Sequence, residues 1–274
     1  MSDHDTRGSW DVATRNHNAH KGDQAAFFRA GGDTLFPEEV ELLGALGGVD
    51  LVHLQCNAGQ DTISLARRGA RATGVDFSSE AIGFARRLAA ETDTVVDFVE
   101  ADLVQWLAET DARFDVAFSS YGCVGWLPDP DAWARGIERV LRPGGRFVYV
   151  EFHPLVWSFD ERAHPTKDDY FSRGPFLEPV GDYVADAGDA LGAVTPEGRI
   201  DNPVVAKSYQ YGLAETLQSL ASAGLVLERL VEWPHSNGCR VTPALVRGPG
   251  RTWVWPPGVA RLPLMFGVVA RRAR

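Results

Sequence analysis

Residues 51–62 of this 274-residue chain read LVHLQCNAGQDT, a short apolar segment followed by a polar turn. The apolar part predicts a buried strand within Asp50–Gln55, and Asp61–Arg68 has the spacing of a helix. In the turn between them, Gly59 allows the backbone to approach a ligand closely, and Asn57 tolerates a positive φ better than other non-glycine residues. Open α/β sheets bind ligands at such strand-to-helix turns.

On either side of this stretch, strand-like and helical segments alternate along the chain. The further predicted strands are 70–76, 95–100, 114–119, 146–152, 226–233 and 264–270, and the other predicted helices are 38–46, 79–91, 131–141 and 213–223. Because crossovers between parallel strands are right-handed, this alternation produces a parallel sheet with helices on both faces. The sequence therefore predicts a doubly wound α/β fold.

Four parts of the chain differ in character. Residues 1–36 form a polar lead-in, helical or irregular, and 37–153 contain the regular α/β alternation. Residues 154–207 are an insertion rich in Pro, Gly, Asp and aromatic residues, and 208–274 return to regular elements of the same core. Long irregular segments inside a compact domain are usually functional. We expect the first and third parts to cover a site.

Composition excludes several classes of protein. The net charge is −10 and the pI is about 5.2, without the basic face that a nucleic-acid binder needs. No apolar stretch approaches the roughly 20 residues of a membrane span. The N-terminal residues lack a signal peptide, and three scattered cysteines favour reduced thiols, so we expect a cytoplasmic protein. Neither HExxH nor paired CxxC is present, so no metal is expected.

Polar residues follow the successive predicted strands. Asp76 ends the second strand seventeen positions after Gly59, the placement of a carboxylate that accepts hydrogen bonds from ribose hydroxyls. Asp102 follows the third strand, and the fourth ends in Ser119-Ser120-Tyr121. In this order the strand ends predict a nucleoside pocket.

The run from Val49 to Phe152 resembles the core of the class I S-adenosylmethionine (SAM)-dependent methyltransferases, small-molecule-acting subgroup. The resemblance implies SAM as cofactor, held by the glycine turn, by Asp76 at the ribose and by Asp102 at the adenine. It also implies a Rossmann-like, mostly parallel sheet that closes with a terminal antiparallel β-hairpin near 262–266. The cofactor-binding residues that it implies are His53, Gln55, Cys56, Asn57, Ala58, Gly59, Asp61, Asp76, Phe77, Ala101, Asp102, Leu103, Ser119, Ser120 and Tyr121.

The turn departs from the family pattern. His53, Gln55 and Asn57 stand where the family usually has an acidic residue and two glycines. A nicotinamide dinucleotide is the alternative cofactor, but its GxGxxG fingerprint is absent. A noncatalytic, methyltransferase-like binding module also remains open.

Two residues are candidates for catalysis. Tyr121, at the exit of strand four, is placed to face the methyl group or the acceptor, and His153, after strand five, is a base that titrates near neutral pH. Structural roles remain open for both: a tyrosine packed under a loop, and a histidine that anchors the insertion. The N-terminal segment is predicted to form either a lid over the cofactor or a helix without ligand contact. The residues on which this prediction rests are Asn16, His17, His20 and Lys21.

The insertion supplies most of the acceptor candidates. Pockets for small organic ligands are mostly apolar and aromatic, and the same residues would also pin a long loop to the domain. The predicted substrate-binding residues are His20, Trp157, Tyr170, Phe171 and Tyr183.

The acceptor is expected to be a small molecule. Strand four lacks the NPPY-like signature that marks amino-methylating enzymes of nucleic acids and proteins in the family. An aromatic or indole-like secondary metabolite is the leading expectation, methylated on carbon, nitrogen or oxygen; a quinone or lipid precursor is the alternative. Exposed aromatics near Trp253 and Trp255 predict a possible homodimer interface.

Overall fold

The computed structural model describes residues 4–160, 162, 164, 169–187 and 200–274. The helices are α1 (Thr6–Ala19), α2 (Gln24–Arg29), α3 (Pro37–Leu43), α4 (Gln60–Arg67), α5 (Ser79–Glu91), α6 (Leu103–Glu109), α7 (Pro130–Val140), α8 (Tyr183–Ala187) and α9 (Leu213–Ser222). The strands are β1 (Asp50–Leu54), β2 (Arg71–Asp76), β3 (Asp97–Glu100), β4 (Phe114–Ser120), β5 (Leu141–Phe152), β6 (Phe176–Pro179), β7 (Val205–Ser208), β8 (Leu225–Trp233), β9 (His235–Asn237), β10 (Val246–Arg247), β11 (Thr252–Val254) and β12 (Met265–Arg272).

A seven-stranded sheet forms the centre of the fold, in the order β3-β2-β1-β4-β5-β12-β8. Strands β1 to β5 pair in parallel, and β12 is antiparallel to both β5 and β8. The predicted Rossmann-like, mostly parallel fold is confirmed. The closing pair of strands is not a tight hairpin, since β9, β11 and β10 form a separate three-stranded antiparallel sheet between β8 and β12.

The turn between β1 and α4 takes three residues into positive φ. Gln55 has φ 54°, Asn57 has φ 48° and Gly59 has φ 78°. The expected positive φ at Asn57 is confirmed. A Cβ on Gly59 would lie 2.5 Å from the Cβ of Ala85 and 2.8 Å from the Phe98 ring. Gly59 therefore permits close packing of the turn against α5 and β3.

Both faces of the sheet are covered by apolar side chains. On one face Trp133 of α7 packs edge-on against Phe147 and Tyr149 of β5, all fully buried. On the other face, Leu43 of α3 packs in a cluster with Leu51 of β1. Burial of a large apolar side chain contributes about 1.5–3 kcal/mol, so these layers hold the strand ends in fixed positions.

Several short elements were not predicted. Helix α6 begins at Leu103, which is buried in the core with Leu107, and the Asp102 side chain caps it by accepting the Gln105 amide at 3.0 Å. Within the insertion β6 and β7 form an antiparallel hairpin, whereas residues 161, 163, 165–168 and 188–199 of the predicted insertion lie outside the described residues. In the described ranges no helix is long and apolar enough to cross a membrane, and no three potential metal ligands are grouped.

Helix α1 lies across the edge of the core and contacts the insertion. Its Asp11 carboxylate accepts the Ser78 hydroxyl at 2.6 Å, which joins α1 to the start of α5. On the other side, the Asn202 amide donates to Ser9, and buried His20 lies 2.8 Å from the Asp182 carboxylate. The N-terminal segment and the insertion are thus fastened to each other.

Candidate active site

A cavity of about 990 Å³ opens at the carboxyl ends of the central strands. Its walls come from the β1, β2, β4 and β5 exits, from α1, from the insertion and from the three-stranded sheet. The predicted site residues that line it are His53, Gln55, Cys56, Asn57, Asp61, Asp76, Phe77, Ser120, Tyr121, Trp157 and Tyr183. The strand ends that the sequence predicts as one pocket do meet there, apart from that of β3.

Asp76 is held at the end of β2 by backbone amides. One carboxylate oxygen accepts the Asn57 amide and the other accepts the Ser78 amide, both at 2.9 Å. Burial raises the pKa of Asp76 to about 6, although these hydrogen bonds favour the charged form. Each carboxylate oxygen has a further lone pair, so Asp76 can still accept hydrogen bonds from a ligand in the cavity.

His53 and Gln55 stand where the family that the chain resembles usually has an acidic residue and a first glycine. The His53 ring lies 2.8 Å from the Thr62 hydroxyl, and burial lowers the pKa of His53 to about 4, so the ring is neutral. The Gln55 amide donates to the Cys123 carbonyl at 2.9 Å, which ties the β1 exit to the β4 exit. The Gln55 Oε1 atom is buried without a hydrogen-bond partner, and an unpaired buried acceptor in a cavity wall is available to a ligand donor.

Lys21 and Asp61 bring opposite charges to the cavity wall. Burial lowers the pKa of Lys21 to about 8, and the negative charge of Asp61 acts in the opposite direction. The Asp61 carboxylate accepts the Thr34 hydroxyl at the start of α4. A ligand with both a carboxylate and an ammonium group could be bound by this pair.

Glu151 fixes the turn that follows β4. Its carboxylate, at the end of β5, accepts the amides of Gly122 and Cys123 and the Tyr149 hydroxyl at 2.9 Å. Tyr121, within this turn, has φ 35°, a conformation that is uncommon for a residue with a Cβ. Burial raises the pKa of Glu151, while the amides that it accepts favour the carboxylate. Sequence reasoning missed Glu151, although an acidic residue that ends an apolar strand is a usable signal.

Tyr121 is surrounded by aromatic and polar groups. Its ring stacks on Phe152 with centroids 5.3 Å apart and meets Phe36 edge-on at 6.2 Å. The Asn237 amide donates to the Tyr121 hydroxyl at 3.0 Å. Burial raises the pKa of Tyr121 well above its usual range, so the hydroxyl keeps its proton.

The structure places six predicted cofactor residues outside the cavity lining. Asp102 is exposed and caps α6, Leu103 is in the core, and Gly59 packs against α5. The remaining three are Ala58, Ala101 and Ser119. Three of the six, Ala58, Gly59 and Ser119, are chain neighbours of lining residues, and neighbouring side chains in a strand point in opposite directions.

His153 also lies outside the cavity lining. Its Nδ1 accepts the Leu155 amide at 3.2 Å, and its Nε2 lies 3.2 Å from the Glu232 carboxylate. Burial lowers the pKa of His153, an effect opposed by Glu232. The geometry corresponds to a histidine that anchors the start of the insertion, and it does not correspond to a base facing the acceptor.

Three of the predicted substrate-binding residues do not line the cavity. His20 contacts Asp182, the Tyr170 hydroxyl accepts the Leu213 amide at 3.0 Å, and Phe171 is 72% exposed. The structure also corrects the predicted exposure of the two tryptophans. Trp255 is buried and donates to the Leu262 carbonyl, and Trp253 is half-buried beside Arg240 and Arg247.

Other lining residues were not predicted as site residues. One face of α1 and the residues after it contribute Trp10, Thr14, His17 and Lys21, whose spacing of four, three and four positions is a helical signal. Phe36, Asn237 and Arg251 come from distant parts of the chain. No local pattern marks these three, since only the tertiary fold brings them together.

Comparison with known proteins identifies the central part of the chain. Residues 52–145 match the methyltransferase domain family. An uncharacterized methyltransferase of Synechocystis sp. is 32% identical over 141 residues, which are 49% of this chain and 62% of that protein. The ubiquinone biosynthesis O-methyltransferase of Aeromonas salmonicida is 32% identical over 103 residues, 38% of this chain and 43% of that protein. The chain thus spans less than two-thirds of the length of these curated relatives.

Solved structures share the fold over most of the chain. The SAM-dependent methyltransferase from Mesorhizobium loti is 22% identical, with a TM-score of 0.57 over 88% of this chain and 99% of that chain. One from Methanosarcina mazei is 17% identical, with a TM-score of 0.54 over 87% and 98% of the two chains. Residues 52–145 therefore match the methyltransferase domain family, and the chain shares the fold of SAM-dependent methyltransferases.

Proposed function

We propose that this protein is an enzyme that transfers a methyl group from SAM to a small aromatic metabolite. The observation that carries the proposal is the cavity in which Asp76, Gln55 and Asp61 share one space with Tyr121 and several other aromatic side chains. Such a cavity has room for a nucleoside cofactor and a small acceptor side by side.

The residues present fit the cofactor. Asp76 would accept the ribose hydroxyls, and Lys21 and Asp61 would bind the carboxylate and ammonium of the methionine end. The orphaned Gln55 Oε1 offers a further acceptor for that ammonium. When bound, SAM supplies a methyl group activated by its sulfonium.

The contribution of the chain to catalysis is mainly positioning. A methyl group on a sulfonium needs only a nucleophile aligned with it, and alignment can lower a barrier by about 7–11 kcal/mol at best. Glu151 holds the Tyr121 turn rigid, and α1 with the insertion excludes water from the cavity. The Tyr121 ring offers an aromatic face to a cation.

An aromatic acceptor is favoured by the composition of the remaining wall. Aromatic side chains dominate it, and flat ligands pack well against such surfaces. They are Trp10, Phe36, Trp126, Phe152, Trp157, Phe176, Tyr183, Tyr209 and Tyr211.

Isothermal titration calorimetry with SAM, S-adenosylhomocysteine (SAH) and NAD tests the cofactor. We expect saturable binding of SAM and SAH and none of NAD, because no GxGxxG turn is available for a pyrophosphate. Binding of NAD alone would contradict the proposal. Binding of the adenosyl ligands without methyl transfer to any aromatic acceptor would favour the noncatalytic binding module.

A further inference from the structure

A chain of hydrogen bonds outside the cofactor turn orients Tyr121. His235 Nε2 lies 2.8 Å from one oxygen of Glu38, and the other oxygen of Glu38 accepts the Asn237 amide at 3.1 Å. The same Asn237 nitrogen donates to the Tyr121 hydroxyl at 3.0 Å. The hydroxyl is thus the last member of a chain that begins at the three-stranded sheet.

The direction of this chain is determined by Glu38. The hydrogen bond from His235 lowers the pKa of Glu38, so its carboxylate can only accept. Asn237 must therefore turn its NH₂ group towards Glu38 and Tyr121, and the Tyr121 oxygen is an acceptor in this contact. The Tyr121 proton is directed to the Glu39 carboxyl, so the hydrogen bonds on both sides of the hydroxyl fix the position of the Tyr121 ring.

Arg251 adds a positive charge to the same end of the cavity. Its guanidinium lies 4.2 Å from the centre of the Phe36 ring, which in turn meets Tyr121 edge-on. One of its nitrogens donates to the Thr34 carbonyl at 2.7 Å, which leaves most of its five N–H donors. Within the described part of the chain, no carboxylate forms an ion pair with Arg251.

A buried carboxyl also acts on this charge. Glu39 is fully buried, and burial raises its pKa well above the usual range, which favours its neutral form, although the charge of Arg251 acts in the opposite direction. One of its oxygens accepts the Phe36 amide at 2.6 Å, which is the capping bond of α3. In a protein with a net charge of −10, a lining arginine without an acidic partner favours an anionic ligand.

We propose that the methyl acceptor is an aromatic carboxylate, whose carboxylate group is bound by Arg251. This proposal rests on the proposed function, since it assigns the acceptor of that enzyme. The aromatic ring of the acceptor would lie against Phe36, Tyr121 and Phe152. An arginine in a cavity wall that pairs with an anion discriminates against a neutral isostere, because the isostere leaves its charge without a partner.

The test compares benzoate with benzamide, and indole-3-carboxylate with indole-3-carboxamide, for binding to the SAH-saturated protein by calorimetry. Each carboxylate should bind at least about tenfold tighter than its amide, the ratio expected from one charge-assisted hydrogen bond. Arg251→Gln should abolish the preference without changing the SAH affinity.

Arg261→Gln is the matched control, since Arg261 is exposed and outside the cavity lining. Equal binding of carboxylate and amide, no saturable carboxylate binding at millimolar concentration, or a preference that survives in Arg251→Gln would each overturn the assignment. SAH binding is measured first on every variant. Failure of SAH to bind the unmodified protein would instead contradict the proposed function.

Discussion

Lys21 and Asp76 are ionisable side chains of the cavity wall whose pKa values burial moves in opposite directions. The pKa of Lys21 is lowered to about 8 and that of Asp76 is raised to about 6. In both cases burial destabilises the charged form of the side chain. A ligand that pairs with these charges offsets the unfavourable free energy of burying them. Groups of this kind cost stability in the free protein and contribute to ligand binding.

Replacement of Asp76 by Ala tests the ribose contact. Loss of two hydrogen bonds to a charged acceptor costs about 1.5–3 kcal/mol, so SAH affinity should fall roughly ten- to hundredfold. In the unmodified protein, SAH affinity should rise as the pH increases through about 6, because the carboxylate accepts better than the acid. The variant should lose that pH dependence. Calorimetry between pH 5 and 7.5 measures both effects.

Asp102→Ala is the matched control, because Asp102 is also a carboxylate at a strand end. The structure shows it as an exposed cap of α6, so the variant should lose about 1 kcal/mol of stability and keep its SAH affinity. Weaker SAH binding by this variant would show that the adenine contact predicted from the resemblance is correct.

Lys21→Met should make the protein more stable and a poorer binder. The folded pKa of about 8 is below the unfolded value of roughly 10.4, so below pH 8 folding confines a charge that water would solvate. At pH 7 the variant should gain roughly 1–3 kcal/mol in unfolding free energy, and this advantage should shrink towards pH 10. SAH affinity should fall while adenosine affinity stays the same. Equal losses for both ligands would remove Lys21 from the methionine end.

His153→Ala should behave as the loss of an anchor. The ring accepts the Leu155 amide, so we expect a loss of about 1 kcal/mol in stability, with SAH affinity unchanged. Thermal unfolding and calorimetry measure the two quantities. Loss of methyl transfer to an aromatic carboxylate at full stability would restore His153 as a catalytic base.

Among single residues, the sequence predicted those site residues that directly follow a strand. Asp76, Gln55 and Asn57 could be predicted because their positions follow from β1 and β2. Lys21 was predicted only as part of one of two alternatives for the N-terminal segment, and Arg251 was not predicted, because its tertiary contact with the cavity has no fixed spacing in the sequence.

At the level of elements, the exits of β4 and β5 form one structural unit. The carboxylate of Glu151 satisfies two amides of the turn after β4, where Tyr121 has a positive φ. A rigid turn is required because Tyr121 contacts both the proposed cofactor space and the acceptor space.

Glu151→Gln should loosen this turn. The variant places an NH₂ group against backbone N–H donors, which leaves at least one buried donor unsatisfied and costs about 1–3 kcal/mol. We expect a lower Tm and weaker benzoate binding in the presence of SAH. Glu232→Gln is the control, because Glu232 is an exposed carboxylate on β8. An unchanged Tm in Glu151→Gln would contradict the role of Glu151 in the turn.

Long periodic elements of the sheet were predicted to within a few residues, since a buried strand or an amphipathic helix repeats its signal. Helix α6 and the strands β6, β7, β9, β10 and β11 were missed. Each is short, and the strands gain their stability from pairing and packing partners rather than from their own pattern. The burial of Trp253 and Trp255 was missed for the same reason, because it depends on packing partners and not on a local pattern.

At the scale of the whole molecule, the N-terminal helix and the insertion close the cavity together. Their contacts include hydrogen bonds of Asn202 with Ser9, of His17 with the Gly181 carbonyl at 3.0 Å and of His20 with Asp182, beside a small apolar cluster of Ala13, Val180 and Ala206. Polar contacts of this kind break at a lower cost than the sheet, so local opening of α1 offers a route into the cavity.

Hydrogen exchange followed by mass spectrometry can test this opening. SAH should slow exchange in α1, and His20→Ala should speed it in α1 and near residues 180–182, with β4 and β5 unaffected. His164→Ala, at an exposed histidine paired with Asp160, serves as the control. Exchange in α1 as slow as that in β4 without ligand would show that the closure does not open on its own.

The separate three-stranded sheet between β8 and β12 has a consequence for how this protein can change. Arg251, Asn237 and Cys239 reach the cavity from this sheet, whereas the cofactor turn belongs to the first half of the chain. The proposed assignments therefore separate selectivity for the acceptor and use of the methyl donor into different stretches of the gene. Recombination or directed evolution confined to residues 234–264 could exchange one acceptor for another while the donor chemistry is inherited intact.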